Sequence, residues 1–238
     1  MVHLIACEVL RPEVEYLLPS LSESFRISWM KQGLHDTPDQ LRTEVQQKIY
    51  EHEDEGAEVI LLGYALCGMG LSGVTSRRAE LVLPNVHDCV PLLLGVGQEE
   101  ANRLSLDGHT LWMSPGWNRY CWEESALHRE GRYADYVERF GKEAADYLFE
   151  IEGTYFKDYE AATLIRWPED WPDMDALVEQ SKRIAAVKNL PYGECKGTPV
   201  FLRALLEGGH GPDFLRIPPG STVELNGDGN LSVVRRQA

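Results

Sequence analysis

The sequence predicts an α/β protein built on a doubly wound, mostly parallel, Rossmann-like sheet, with a helical lid or insertion and a C-terminal β-hairpin. Short apolar runs of strand length alternate along the chain with segments of helical periodicity. The first run, Val2–Val9, is almost continuously apolar, which is typical of a strand covered on both faces. Near the end of the chain, Asn226-Gly227 separates two short runs and predicts the tight turn of a hairpin.

Composition and charge limit the classes of function. The chain has 238 residues, 43% of them hydrophobic, and a formal net charge of −15. Its 38 acidic residues against 23 basic ones argue against a nucleic-acid partner, because phosphate binding draws on clustered Lys and Arg. No apolar run approaches the ~20 residues of a membrane-spanning helix, and no basic region precedes the first apolar run. We therefore expect a cytoplasmic protein with no membrane partner.

The N-terminal segment predicts two strands and two helices. The strand Val2–Val9 carries Cys7 near its end, and a helix connects it to a second strand, Phe25–Met30. The loop after the second strand contains His35. A second helix follows, with Thr37 as its N-cap.

The middle of the chain predicts three more strands, each followed by a distinctive segment. A helix from Pro91 through Leu106 is predicted between the last two of them. The first of them, Glu58–Leu66, is followed by the glycine-rich stretch Cys67–Gly73. The second, Glu80–Val86, is followed by His87-Asp88-Cys89. The third, His109–Met113, is followed by Ser114-Pro115-Gly116-Trp117.

The remainder of the chain is predicted to be mostly helical. Residues 122–162 have helical periodicity, and further helices are predicted at Met174–Lys188 and Thr198–Leu206. The loop that contains Cys195 lies between those two helices. The predicted organisation is an α/β core at 1–121 that carries the site, a helical insertion or lid at 122–170, and C-terminal helices and a hairpin at 171–238 that complete the same domain.

Cysteines follow three of the predicted strands. The five cysteines are an odd number without a Cys-x-x-Cys pair, so ligands or reactive thiols are expected rather than disulfides. Because ligands bind beyond the carboxyl ends of parallel strands, these thiols should meet at one sheet edge. Thiolate and imidazole are zinc ligands. The sequence therefore predicts a zinc site formed by Cys67, His87 and Cys89, with Cys7 as the fourth ligand or as a neighbouring thiol.

Other residues are predicted to support this site. On an extended segment His87 and Cys89 would point the same way, leaving Asp88 to orient a neighbour; Asp88 and His35 are the candidate catalytic residues. Contacts to a cofactor are expected from Gly68, Gly70 and Trp117. Each residue also has an ordinary structural interpretation: the cysteines as small apolar side chains, the glycines as a flexible loop, His35 as a loop residue and Trp117 as the edge of the core. A Cys/His nucleophile without a metal also stays open.

These motifs resemble a known family, the prokaryotic family of unknown function DUF1638. Members of that family are often encoded near corrinoid-dependent methyltransferases for methylamines and quaternary amines. The resemblance thus implies a role in methyl-group metabolism, with a corrinoid protein or methyltransferase as partner, but no mechanism. It spans roughly residues 2 to 190 and rests on Ala6-Cys7-Glu8, Leu34-His35 with Pro38 and Leu41, Leu62–Gly68, Val86–Cys89 with Leu92–Gly95, and Ser114–Trp117.

The predicted ligands are also similar to those of zinc methyltransferases that pass a methyl group from a corrinoid to a thiol. Those enzymes hold zinc with a His-x-Cys pair and a distant Cys, but they have a barrel fold and the second Cys follows the pair, whereas Cys67 precedes it. We therefore expect a zinc-dependent enzyme acting on a small thiol, amine or methyl donor. The alternatives are an iron–sulfur protein whose cluster uses Cys7, Cys67 and Cys89, leaving one iron open, and a non-enzymatic carrier of a corrinoid or metal.

Overall fold

The chain forms two compact units. The computed structural model describes residues 1–66, 69–104, 108–122, 129–155, 157–167, 171–225 and 231–235. Unit 1 contains Met1–Ala101 and Thr198–Ala238, and unit 2 contains Asn102–Gly197. None of the helices in the described ranges has the length and apolar composition that crossing a bilayer requires.

Strands and helices alternate through most of the chain. The strands are β1 Val2–Cys7, β2 Phe25–Met30, β3 Val59–Gly63, β4 Glu80–Pro84, β5 Thr110–Met113, β6 Ala161–Arg166, β7 Tyr192–Lys196, β8 Phe214–Ile217, β9 Ser221–Leu225 and β10 Leu231–Arg235. The helices are α1 Arg11–Leu17, α2 Pro38–Asp54, α3 Val90–Leu94, α4 Gln98–Leu104, α5 Arg129–Phe140, α6 Lys142–Tyr155, α7 Met174–Val187 and α8 Val200–Leu206.

The sheet of unit 1 confirms the prediction of a mostly parallel sheet. Its strand order is β2-β1-β3-β4-β8, with β1 to β4 parallel and β8 antiparallel to β4. Most residues of β1, β3 and β4 are buried, as expected of apolar strands with both faces covered. On α2, Leu41, Val45 and Ile49 recur every four residues, are fully buried and pack in one cluster with Ile5 and Leu62.

A buried carboxylate near the end of α2 holds the segment that enters β4. Glu53 is 2% exposed, and its Oε1 accepts hydrogen bonds from the backbone N–H groups of Arg77, Arg78 and Ala79 at 2.8, 2.6 and 2.9 Å. Three donors on one oxygen offset the cost of desolvating the carboxylate. The segment is therefore fixed against α2, and β4 begins at Glu80, paired with the first residue of β3.

The C-terminal end of the chain belongs to unit 1. The predicted hairpin is confirmed, because β9 and β10 pair antiparallel with Val223 opposite Val233; its predicted Asn226-Gly227 turn lies outside the described residues. Thr222 forms an isolated antiparallel bridge with Thr75, which attaches the hairpin to the loop before β4. The strand β8, which the sequence did not predict, completes the sheet beside β4.

Unit 2 has a separate parallel sheet of order β5-β6-β7. The expectation that β5 continues the sheet of β1 to β4 is therefore wrong, because β5 pairs with β6. The strand β6 begins with two alanines, which are poor strand formers, at the end of the stretch predicted to be helical. Likewise β7 occupies the predicted loop around Cys195. The core of this unit includes Leu111, Met113, Leu164 and Ile184.

The prediction of a single helix from Pro91 through Leu106 is wrong. Two helices, α3 and α4, stand in its place, separated at Gly95. Gly95 has a left-handed φ of 73°, and a Cβ built on it would lie 2.5 Å from the carbonyl oxygen of Thr198. The predicted strand Val2–Val9 is also shorter, ending at Cys7 where Glu8–Leu10 form a 3-10 turn.

Replacing Gly95 by Ala tests this break. The added Cβ meets a backbone oxygen and the residue must keep a positive φ, so Gly95→Ala should lower the free energy of unfolding by roughly 2 kcal/mol or more. Gly97→Ala is the matched control, since no atom lies within 4 Å of its Cβ position. Urea unfolding followed by tryptophan fluorescence measures both variants. Equal stability of the two variants would contradict the proposed reason for the break.

Beneath the end of α2, two buried histidines form a hydrogen-bonded chain with a serine. His52 is 1% exposed and His3 is 6% exposed. Their Nδ1 atoms are 3.0 Å apart, and His52 Nε2 is 2.7 Å from Ser28 Oγ. Burial lowers the pKa of both imidazoles, and burial together with repulsion from His3 lowers the pKa of His52 to about 4. Both rings are therefore neutral at neutral pH.

This pair predicts a loss of stability on acidification. Because the folded pKa of His52 lies below its reference value of 6.5, the unfolded chain takes up more protons as the pH falls, and the free energy of unfolding should decrease between pH 6.5 and about 4. Urea unfolding at stepped pH measures this. The variant His52→Gln should flatten the dependence above about pH 4.5, where most carboxylates are still charged. The exposed His210→Gln control should keep it, and an unchanged slope in His52→Gln would contradict the assignment.

Candidate functional site

The predicted site lies at the C-terminal edge of the unit 1 sheet. Three adjacent parallel strands, β1, β3 and β4, end there at Cys7, Gly63 and Pro84. The loops that follow β3 and β4 are joined by a backbone hydrogen bond, which Leu66 N donates to Val86 O at 3.1 Å. These two residues directly precede Cys67 and His87 in the sequence. The loops that carry the predicted ligands are thus tied together immediately before them.

The predicted metal site is described in part. Cys67 and Gly68 lie outside the described residues. Among the residues that the structure describes, no group of three or more His, Cys, Asp and Glu side chains is arranged to hold a metal ion. The predicted ligands His87 and Cys89 therefore require Cys67 or a further residue to complete a set.

Cys7 is a protonated thiol rather than a thiolate. Its Sγ lies half-buried at the end of β1 and packs against the core of unit 1. Burial raises the pKa of this thiol to about 11, the Glu8 charge adds to the rise, and hydrogen bonds with the Val9 backbone and the Tyr64 side chain oppose it. Cys7 is consequently protonated at neutral pH unless a cation binds beside it.

The His87-Asp88-Cys89 segment forms a turn, so the argument from an extended segment is wrong. β4 ends at Pro84, and Cys89 has helical dihedral angles, φ −83° and ψ −5°, at the N-cap of α3. Asp88 Oδ1 accepts a hydrogen bond from Val90 N at 2.8 Å, and Gln98 Oε1 accepts one from His87 N at 2.6 Å. The turn is therefore fixed from both sides, while the His87 side chain stays exposed and Cys89 is half-buried.

Asp88 has a structural role in this turn in addition to its predicted catalytic one. The residue retains exposed surface, but crowding around its carboxyl raises the pKa. The hydrogen bond from Val90, the His87 charge and a hydrogen bond with Gln98 oppose the rise. The carboxyl thus starts α3 as an Asx turn and is a weaker acid than an exposed aspartate.

The remaining predicted residues are less closely connected to this edge. His35 is 49% exposed in a 3-10 turn, with Nε2 3.4 Å from Asp36 Oδ1. Gly70 is buried, and a Cβ there would lie 2.4 Å from Leu41 Cδ2, so its close approach is to helix α2. Trp117 belongs to unit 2, half-buried in a helical turn capped by Ser114 Oγ.

Sequence reasoning missed three residues of unit 1. Tyr64 is 3% exposed and lowers the pKa of the Cys7 thiol, Gln98 holds the His87-Asp88 turn, and Glu13 is fully buried in the first turn of α1. An acidic residue after Pro12 is the ordinary pattern of a helix start, so no sequence signal marks the burial of Glu13. Tyr64 precedes Cys67 by three residues, which was the one available signal.

The fold gives the class of the protein, and a comparison with known families gives its family. The chain is a mixed α/β protein whose larger, mostly parallel sheet carries Cys7, His87 and Cys89 at one edge. A family model described as a protein of unknown function, DUF1638, matches residues 29–206, and the chain belongs to that family. The resemblance is therefore confirmed. Neither the search of curated proteins nor that of solved structures gave a match.

The protonation of Cys7 makes a direct prediction. With a pKa of about 11 instead of 9.0, its thiolate fraction near neutral pH is about 100-fold below that of an unperturbed thiol. In chelator-treated protein, iodoacetamide should therefore modify Cys7 far more slowly in the folded state than in urea, as peptide mass spectrometry measures. Tyr64→Phe removes a hydroxyl that lowers the pKa of Cys7 and should slow the reaction further. Equal rates in folded and unfolded protein would contradict the raised pKa.

Proposed function

We propose that the chain is a zinc-dependent enzyme of small-molecule or methyl-group metabolism that activates a thiol or amine substrate at the C-terminal edge of the unit 1 sheet. Cys67, His87 and Cys89 hold the metal, and Cys7 lies close by as the fourth ligand or a neighbouring thiol. One observation supports this set above the others. The Leu66 to Val86 hydrogen bond joins the two loops directly before Cys67 and His87.

The chemistry follows from the groups around that edge. Zinc, when bound, supplies the positive charge that keeps a substrate thiol deprotonated at neutral pH. Gln98 and Asp88 hold the turn that presents His87 and Cys89, which reduces the ordering needed when a ligand binds. The Asp88 carboxyl, with its raised pKa, serves as the proton acceptor for the incoming substrate. His35, exposed on the loop after β2, is a second proton carrier in this proposal.

An iron–sulfur centre is the second candidate. Cys7, Cys67 and Cys89 follow three adjacent strands, and three thiolates would leave one iron open for substrate. The half-buried position of Cys7 favours this candidate, since an apolar surrounding suits a cluster. The same burial raises the pKa of Cys7 and so weakens it as a ligand, which is why zinc without a required Cys7 is preferred.

Metal analysis with a visible spectrum on anaerobically purified protein separates the candidates. About one zinc per chain and no colour supports the zinc enzyme. A brown, broad absorbance with bound iron supports the cluster instead. A metal-free protein that takes up a red corrinoid supports the third expectation, a carrier that delivers a corrinoid or metal to a partner protein.

Substitution of the ligands gives the sharper prediction. Cys67→Ser and His87→Gln should each lower zinc content or affinity about 10-fold or more, because a three-residue site loses a direct ligand. Cys195→Ser, a half-buried cysteine on β7, is the matched control and should leave zinc unchanged. Cys7→Ser should retain zinc but abolish an iron–sulfur cluster. If Cys67→Ser and His87→Gln both kept wild-type metal content, the proposed ligand set would be wrong.

A further inference from the structure

Unit 1 has a cleft at the sheet edge opposite the cysteines. It lies beside the first residues of β1 and β3 and has a volume of about 650 Å³. Clefts that bind small molecules generally fall in the range of about 300 to 1,000 Å³ and combine apolar walls with a few polar groups. Leu61 and Leu206 supply apolar surface here, and His3 is part of the lining.

Negative charge predominates in the lining. Four glutamates line the cleft, against the Arg216 guanidinium and the Met1 ammonium. Arg216 already bonds to Glu80 and to the carbonyl oxygens of Gly208 and Gly209. The four glutamates are Glu23, Glu55, Glu58 and Glu207.

Two of these glutamates form no described hydrogen bond or ion pair through their side chains. Glu55 receives both of its hydrogen bonds from Arg26, at 2.8 and 2.9 Å, and Glu207 lies 3.8 Å from Arg203. Within the described part of the chain, the side chains of Glu23 and Glu58 have no hydrogen bond or ion pair. Their charges are therefore available to a ligand in the cleft.

The His3 imidazole gives the cleft a second, independent polar feature. His3 is 94% buried, since only 6% of it is exposed, and its Nδ1 is committed to His52. Its Nε2 has no hydrogen-bond partner among the described residues, although the residue lines the cleft. A ring nitrogen without a protein partner at the wall of a cleft can form a hydrogen bond with a ligand or with a water molecule.

The hydrogen-bonded chain behind His3 determines what that nitrogen can do. Only one proton fits between the two Nδ1 atoms, so the chain has two arrangements. In one, Ser28 donates to His52, His52 donates to His3, and His3 Nε2 is an N–H donor. In the other, His3 donates to His52, His52 donates to Ser28, and His3 Nε2 is an acceptor.

When a cation binds in the cleft, the second proton arrangement of the two histidines is favoured. Arg26, Glu51, Glu55 and the Met1 ammonium are the charged groups that act on the two histidines. Both rings are neutral, and in the second arrangement His3 Nε2 offers a lone pair rather than a positive charge. A group that donates N–H bonds and carries positive charge satisfies both this lone pair and the uncommitted carboxylates.

We propose that this cleft binds a small organic ammonium ion, whose N–H group donates to His3 Nε2 while its charge faces Glu23 and Glu58 and its aliphatic part lies against Leu61 and Leu206. The site is independent of the proposed metal centre at the opposite edge of the sheet. Binding fixes the proton arrangement of the chain from His3 through His52 to Ser28.

Calorimetric titration of the full chain with putrescine, a four-carbon diamine, tests the proposal. Saturable binding with a dissociation constant below about 1 mM at low salt is expected, weakening as salt is added. Butanol, which has the same aliphatic chain without charge, and succinate, a dianion of similar length, should not bind. Saturable binding of succinate, or no binding of putrescine, would overturn the proposal.

Charge-removing variants separate a site from general attraction to an acidic protein. Glu23→Gln and Glu58→Gln should each weaken putrescine binding about threefold to fivefold, as expected for a partly exposed charge pair, and no described interaction is lost in either variant. Glu224→Gln, an exposed glutamate of β9 outside the lining, is the matched control and should bind as the wild type does. Equal weakening in all three variants would show that only net charge matters and would overturn the site.

Nitrogen NMR of the imidazoles tests the role of His3 without any substitution. In protein saturated with putrescine, His3 should be protonated at Nδ1 only and His52 at Nε2 only. The reverse tautomers would overturn the hydrogen bond to His3. Because this measurement uses the intact chain, it does not depend on whether His3→Gln folds.

Discussion

The position of β4 depends on one carboxylate. Glu53 is buried at the end of α2 and binds three successive backbone N–H groups of the segment that enters β4. An unpaired buried carboxylate would be costly, so the segment and the helix are held together or both are disrupted. β4 pairs with β3 on one side and with β8 on the other, so the contact lies at the start of a central strand. The His87 turn follows this strand, and residues 55–58 of the cleft follow the same helix end.

The two edges of the unit 1 sheet differ in the kind of polar group they expose. The C-terminal edge carries thiols and a turn fixed by Gln98, with Cys7 protonated by burial. The opposite edge carries carboxylates around the buried His3 and His52 pair. Soft ligands with an adjacent acid suit a transition metal, whereas carboxylates around a neutral imidazole suit an organic cation. The two proposed sites therefore lie at opposite ends of the strands of one sheet.

Strands and helices whose apolar pattern is visible in their own residues were predictable. Strands that form only because they pair with residues far away in the sequence were not. β1, β3 and β4 are continuous apolar runs, and α2 repeats apolar residues every four positions, so each could be recognised alone. β6 and β7 are mixed in composition and become strands only by pairing with each other and with β5. The site shows the same division. Cys7 and His87 were found as strand-end residues, but the influence of Tyr64 on Cys7 and the chain from His3 to Ser28 join segments far apart in sequence.

The division of unit 1 between two parts of the chain has a consequence for its synthesis. Met1–Ala101 emerges from the ribosome first, but β8, the neighbour of β4, follows only after the 96 residues of unit 2. Until then β4 presents an open edge of backbone donors and acceptors beside exposed apolar side chains, the kind of surface that pairs with other chains. The early formation of unit 2 would shorten the effective loop that must close before β8 can add. The order of synthesis thus leaves β4 without its second neighbour until the last part of the chain has been made.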